Sequence, residues 1–326
     1  TSVVCHSLSD VPDIIDTWNE GNVADVEGYY ENAKINRVYV DRVHVKKAFA
    51  EYTAAYNADD PKIKLKIDHT YRVAALCERI AKAAGMCAYD VELAWLSGML
   101  HDVGRFEQIK RYNTFSDADS VDHAKFGADL LFKDGLISTF LNGMVKCTGY
   151  KLGALEDRYS SDGVFLYDRL NKSDMEMLEL AIRCHNMYRI PQGLNHREQA
   201  FCNVLRDADK VDIFKVNIDT PLEEIYNTTT EELMKSNITD EVLEAFDEEH
   251  CILKAIRRTP ADTVIGHVSL AYELVYDESV RITVEQGYLA KLMHFHSDNE
   301  ETNRKMAMVR EKMDSYVKKR IGEKDA

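Results

Sequence analysis

Proline is scarce in this 326-residue chain, at five residues, and glycine is held to 15, so little in it enforces turns or interrupts regular structure. Nor is there any stretch approaching the roughly 20 consecutive apolar residues that a membrane-spanning helix needs. Thr1 to Asp10 lack the basic-then-apolar order of a secretory signal. A cytoplasmic protein without membrane contact is therefore expected. The seven cysteines, at 5, 77, 87, 147, 184, 202 and 251, are odd in number, scattered, and contain no C-x-x-C pair, which excludes both a disulfide framework and a zinc knuckle. Positive charge is also in short supply. With 41 lysines and arginines against 56 acidic residues the formal net charge is −15, a field that repels polyanions and argues against broad nucleic-acid binding. A small anionic substrate remains admissible, because bound cations in a cleft reverse the sign locally.

What is present is helical patterning. Apolar residues make up 45% of the chain and charged ones 30%, enough for a real core under a solvated surface. They recur at spacings of three and four almost throughout, which predicts helices near 41–58, 66–85, 90–101, 122–133, 173–187 and 199–216, with several more in the acidic C-terminal third. Asp59-Asp60-Pro61 reads as the break between the first two, and Ser173 with Glu176 as a capping box. The organisation expected is an N-terminal extension over 1–40, a helical core over 41–218, and a C-terminal helical cap or interaction layer over 219–326. Residues 150–165 (YKLGALEDRYSSDGVF) read as a long loop of the kind that forms lids or binding segments.

Several polar residues fall on faces that ought to be buried. His69 is in line with Val73, Leu76, Cys77 and Ile80, and His101 with the small residues Ala94, Ser97 and Gly98. Asp102 lies one step round from His101. His123 shares a face with Phe126, Gly127, Leu130 and Leu131, His185 continues the line Leu178, Ala181, Ile182, and Asp209 continues Cys202 and Leu205. A lone histidine on an apolar face is ordinarily a hydrogen-bonded core residue. A whole set is different, because burying several imidazoles and carboxylates together is costly unless something such as a metal compensates them. Facing helices of a bundle are a recurrent setting for dinuclear sites. In RDADKVD, Asp207 rivals Asp209 for such a role.

The order His69, His101-Asp102, Asp209, in the contexts DHTYRVAAL, LSGMLHDVGR and LRDADKVD, resembles the signature of the HD superfamily of metal-dependent phosphohydrolases over about residues 60–216. His123 in SVDHAKFGADLLF and His185 in LAIRCHNMYRIP further resemble the subset that holds two metals. The resemblance implies an all-α helical bundle. It implies that His69, His101, Asp102 and Asp209 hold one ion and that Asp102 bridges to a second, held by His123 and His185. It favours Asp209 over Asp207, since the family's ligand directly follows the alanine and precedes the basic residue. Imidazole and carboxylate ligands suit two divalent ions of iron or manganese.

The activity so implied is hydrolysis of a phosphate ester or anhydride in a nucleotide or related small metabolite, by metal-activated hydroxide. Asp102 would orient the attacking water. Arg105, one turn after His101, would hold a substrate phosphate, as guanidinium geometry allows. The segment Arg105 to Ser120 is expected to line the pocket, with Tyr112, Asp117 and, beside the last ligand, Lys210 as candidate substrate contacts. Two other readings stay open: a mixed-valent di-iron oxygenase with the same ligands, and a non-catalytic regulatory module. Assembly into a homo-oligomer is left open by the sequence. His294-Phe295-His296 offers an H-x-H spacing, but on a helix its rings diverge.

Overall fold

The computed structural model describes residues 39–57, 59–141, 145–148, 164–167, 172–226 and 228–322. The chain divides into two compact units, one ending at Cys202 and the other beginning at Asn203. Of the expected N-terminal extension, residues 1–38 lie outside the described residues, as do 150–163 of the expected loop. The fold is all-α, as expected, with one small sheet added. No helix among the described residues is long and apolar enough to cross a membrane.

The first unit opens with strand β1 (Tyr39–Val40) and helix α1 (Arg42–Thr53), whose start is capped by the Asp41 carboxylate accepting from the amides of Val43 and His44. Helix α2 (Pro61–Ala83) begins where Asp59-Asp60-Pro61 predicts a break: Asp60 caps it and Pro61 fills its first position, where the missing amide costs nothing. Its buried face runs Ile63, His69, Val73, Ala74, Leu76, Cys77, Ile80, Ala81, the spacing read from the sequence. Helix α3 (Ala88–Leu100) packs on α2 at very short range. A Cβ on Gly98 would lie 2.6 Å from the Cα of Ala74, so only glycine permits this approach.

Helix α4 (Val103–Tyr112) follows α3 almost at once, and α5 (His123–Ala128) runs into a π-helical turn over Asp129–Lys133 before the short α6 (Ile137–Leu141). Strands β2 (Val145–Thr148) and β3 (Val164–Tyr167) complete an antiparallel three-stranded sheet in the order β1-β2-β3, with Val40 opposite Val145 and Thr148 opposite Val164. Val164 and Phe165, read as the end of the loop, therefore start a strand. Helix α7 (Lys172–Cys184) already includes Ser173, which corrects the expected capping box: that serine is inside the first turn rather than before it. Buried Asp174 pins α7, pairing with Arg197 at 2.7 Å and accepting from the Tyr89 hydroxyl, while Arg197 also reaches Asp90 at 2.7 Å.

Helix α8 (His196–Asp219) supplies the first residues of the second unit. That unit continues through α9 (Leu222–Tyr226), α10 (Thr230–Lys235), α11 (Asp240–Asp247), α12 (Pro260–Val268), α13 (Asp277–Gln286), α14 (Tyr288–Met293) and α15 (Glu300–Ile321). Its own core gathers Phe214, Leu233, Val242, Phe246, Val264, Ile265 and Met306. Reciprocal capping boxes start α10 (Thr229 with Glu232) and α12 (Thr259 with Asp262). His294 and His296 are both exposed and join none of the possible ligand groups among the described residues.

Candidate metal centre

The centre begins with a break in the backbone. On an unbroken helix neighbouring side chains diverge by about 100°. Between α3 and α4, however, His101 is still helical (φ −57°, ψ −36°) whereas Asp102 adopts φ −106°, ψ 14°. The pair can thus serve one point in space. Asp102 Oδ2 stands 3.5 Å from the Nε2 atoms of both His69 and His101. Its other oxygen, Oδ1, is 3.5 Å from His123 Nε2 and 3.8 Å from His185 Nε2. One buried carboxylate therefore faces two imidazole pairs, one per oxygen, and all five residues are buried.

Close approach of α4 and α5 brings His123 to this point. Gly104, two residues after Asp102, lies against Gly127, and a Cβ at 104 would sit 2.4 Å from the His123 carbonyl oxygen. Sequence reading noticed Gly127 on the His123 face but missed its counterpart in HDVGR.

The outer ring nitrogens define what the inner ones can do. His101 Nδ1 is 2.8 Å from the Gly98 carbonyl, His185 Nδ1 is 2.7 Å from the Ile182 carbonyl, and His123 Nδ1 is 2.7 Å from Asp117. Those partners only accept, so in each neutral ring the proton belongs on Nδ1 and Nε2 presents a lone pair inward. Yet His123 Nε2 and His185 Nε2 are 3.1 Å apart, and His69 Nε2 and His101 Nε2 are 3.3 Å apart. The inward lone pairs of His123 and His185 repel at that distance, and Asp102 Oδ1 is itself buried with no hydrogen bond among the described residues. Cations between the rings and the carboxylate relieve both conflicts, so the donor set fits divalent metal.

Electrostatics agree. Burial pushes the Asp102 carboxyl up, but Lys66, His101, His123 and Arg105 outweigh it and hold the group well below the usual range. Burial, with Arg105, pulls His123 down to about 4 against the opposing pull of Asp117, so its ring is neutral near pH 7. Asp117, for its part, is held far below a normal carboxylate despite its partial burial, chiefly by His123 and Arg105.

Other expected site residues take different places. Asp117 stands behind His123 and also accepts from Arg105 at 2.9 Å and Gln108 at 3.1 Å. Arg105 is nearly buried at 14% exposure, its Nη1 donating to Phe115 O, Gln108 and Asp117 while its Nε faces Asp102 Oδ1 at 3.8 Å. Tyr112 is 45% exposed at the end of α4 and makes none of the polar contacts around Asp102 among the described residues. Lys66 was missed altogether, although its Nζ donates to Asp102 Oδ2 at 2.7 Å. So was Asn186, which donates to Asp122 at 3.0 Å and Asp117 at 3.3 Å.

Within the second unit, α8 carries both rival aspartates. Asp207 is buried and fully engaged, accepting from the amides of Val275 and Tyr276 at 3.0 Å and from the Ser279 hydroxyl at 2.7 Å. It anchors the start of α13. Asp209 is only partly buried. Lys210 is buried, and burial together with Arg206 pulls its amine down to about 8.

Comparison with known proteins agrees with this geometry. Nothing among curated proteins or solved structures matches the chain. Residues 67–214 match the family model described as HD domain. The buried histidines and aspartate of that stretch are compatible with a metal site of the HD type, and the match points to the metal-dependent hydrolases.

Proposed function

We propose that the protein is a metal-dependent phosphohydrolase that cleaves a phosphate ester or anhydride of a nucleotide or related small metabolite. The observation that carries this reading is the placement of Asp102, one oxygen facing the His69 and His101 pair and the other facing His123 and His185. In this reading His69, His101, Asp102 and Asp209 hold one divalent ion and Asp102, His123 and His185 a second, iron or manganese by donor type. Asp209 is preferred to Asp207 because the latter's oxygens are spent on α13. Bound ions of this kind supply an acidified water and a Lewis acid for a phosphoryl oxygen.

The chain's own residues do the rest. Gly98 and Ile182 carbonyls and the Asp117 carboxylate keep the rings in the tautomer that donates lone pairs inward. Asp102 keeps its charge at neutral pH and so can accept a hydrogen bond from, and orient, a water in the site. Arg105 and Lys66 place positive charge beside it, which suits an anionic substrate.

A panel of nucleotides and p-nitrophenyl phosphate, supplied with manganese or ferrous iron under anaerobic conditions, tests the reading. Phosphate or nucleotide release by the parent protein and its loss in Asp102→Asn are expected. Metal-loaded protein that releases neither product, or that turns over only with oxygen, overturns it.

A further inference from the structure

Lys66 lies three residues before His69 on α2, on the same side of the helix. Its ammonium meets Asp102 Oδ2 at 2.7 Å, the same oxygen that faces His69 and His101, and this is its only acceptor among the described residues. At 17% exposure the stem is covered and the head is at the edge of the centre. Lys66 also has a counterpart. Its Nζ is 5.5 Å from the centroid of the Phe115 ring, and the Arg105 guanidinium is 5.7 Å from the same centroid. Arg105 faces Asp102 Oδ1 at 3.8 Å. Two cations thus flank the Asp102 carboxylate, one on each oxygen, and both lie near the Phe115 ring.

Charge bookkeeping shows what this arrangement lacks. Asp117 neutralises Arg105 at 2.9 Å, leaving Asp102 as the one carboxylate paired with Lys66 among the described residues. An ion held through Asp102 Oδ2 competes for the same lone pairs, so the ammonium then requires another anionic oxygen within reach. We propose that Lys66 is a substrate-binding residue whose ammonium holds a nonbridging oxygen of the phosphoryl group on the Oδ2 side of Asp102. The ligand class is a phosphoryl group that offers an anionic nonbridging oxygen. This inference rests on the phosphohydrolase reading.

The test is calorimetric binding of inorganic phosphate to manganese-loaded protein, with bound manganese measured on the same samples. Lys66→Met should weaken phosphate binding about tenfold or more, the loss expected for one charge-assisted hydrogen bond. Lys66→Arg should recover part of it, and Lys64→Met, an exposed lysine on the same helix, should leave it unchanged. All should carry the parent's manganese content. Lys66→Gln serves if the methionine variant folds poorly. Phosphate binding unaltered in Lys66→Met overturns the assignment, and so does loss of manganese from that variant, since Lys66 would then serve Asp102 alone. Failure of the parent itself to bind phosphate removes the phosphohydrolase reading and this inference together.

Discussion

His123 donates from Nδ1 to the Asp117 carboxylate at 2.7 Å, whereas His101 and His185 are oriented by main-chain carbonyls. A carboxylate behind a ligand ring fixes its tautomer and makes the inner nitrogen more basic. Replacing Asp117 by Asn keeps an acceptor but removes the charge. The affinity of the second ion should fall by about 10- to 100-fold while that of the first changes little. Metal titration followed by competition with a chelator reads both, and equal affinities in parent and variant would contradict the role.

Gly104→Ala should disturb the centre through the backbone. The added Cβ would meet the His123 carbonyl at 2.4 Å and the Gly127 amide nitrogen at 2.7 Å, and neither is a side chain that can swing aside. Separation of α4 from α5 should cost about 1–3 kcal/mol and carry His123 away from Asp102. A lowered Tm with one ion lost per chain is expected. An unchanged melting curve with full metal content would show that the helices yield without consequence.

The two aspartates of RDADKVD should separate cleanly. Asp207→Asn removes the charge that anchors the amides of Val275 and Tyr276, so it should destabilise the protein while sparing metal content. Asp209→Asn should do the reverse. Melting temperature and metal stoichiometry on both variants decide it, and the opposite pattern would exchange their roles.

Acid should weaken the chelated protein in a defined window. The His123 ring sits at about 4 in the fold against an ordinary 6.5, so between those values the unfolded chain binds the proton and the folded one does not. Stability is therefore present above about pH 6.5 and falls on acidification, by up to about 1.4 kcal/mol per pH unit, until the folded ring also protonates near 4. His267 in the second unit, pulled down to about 3 by burial with Arg257 and Lys254, extends the same slope lower. Denaturant midpoints measured from pH 7.5 to 4.5 check the sign, and a flat profile would refute it.

The helices around the centre are legible in the sequence because each has one apolar stripe, and the histidines show themselves by interrupting it. Asp60-Pro61 marks a start because proline is tolerated there and almost nowhere else in a helix. Lys66 is not legible, since among Lys62, Lys64 and Lys66 it looks like another solvated helix lysine, and only packing shows which one bends inward. The change of backbone at Asp102 has no proline or glycine to announce it. Arg105 was expected to hold a substrate phosphate; that Phe115 and Asp117, ten and twelve residues later, fold back onto it could not be read. Contacts of that kind depend on a loop's path, which no periodicity encodes.

Because the rings of His101 and His185 hang from carbonyls of their own helices, their aim is set as soon as those helices form. An arriving ion finds these two donors already ordered and loses little entropy in recruiting them. His123 has no such local tether, and its direction depends on a loop carboxylate six residues away. Of these three rings, His123 should accordingly be the one most readily turned away from the centre.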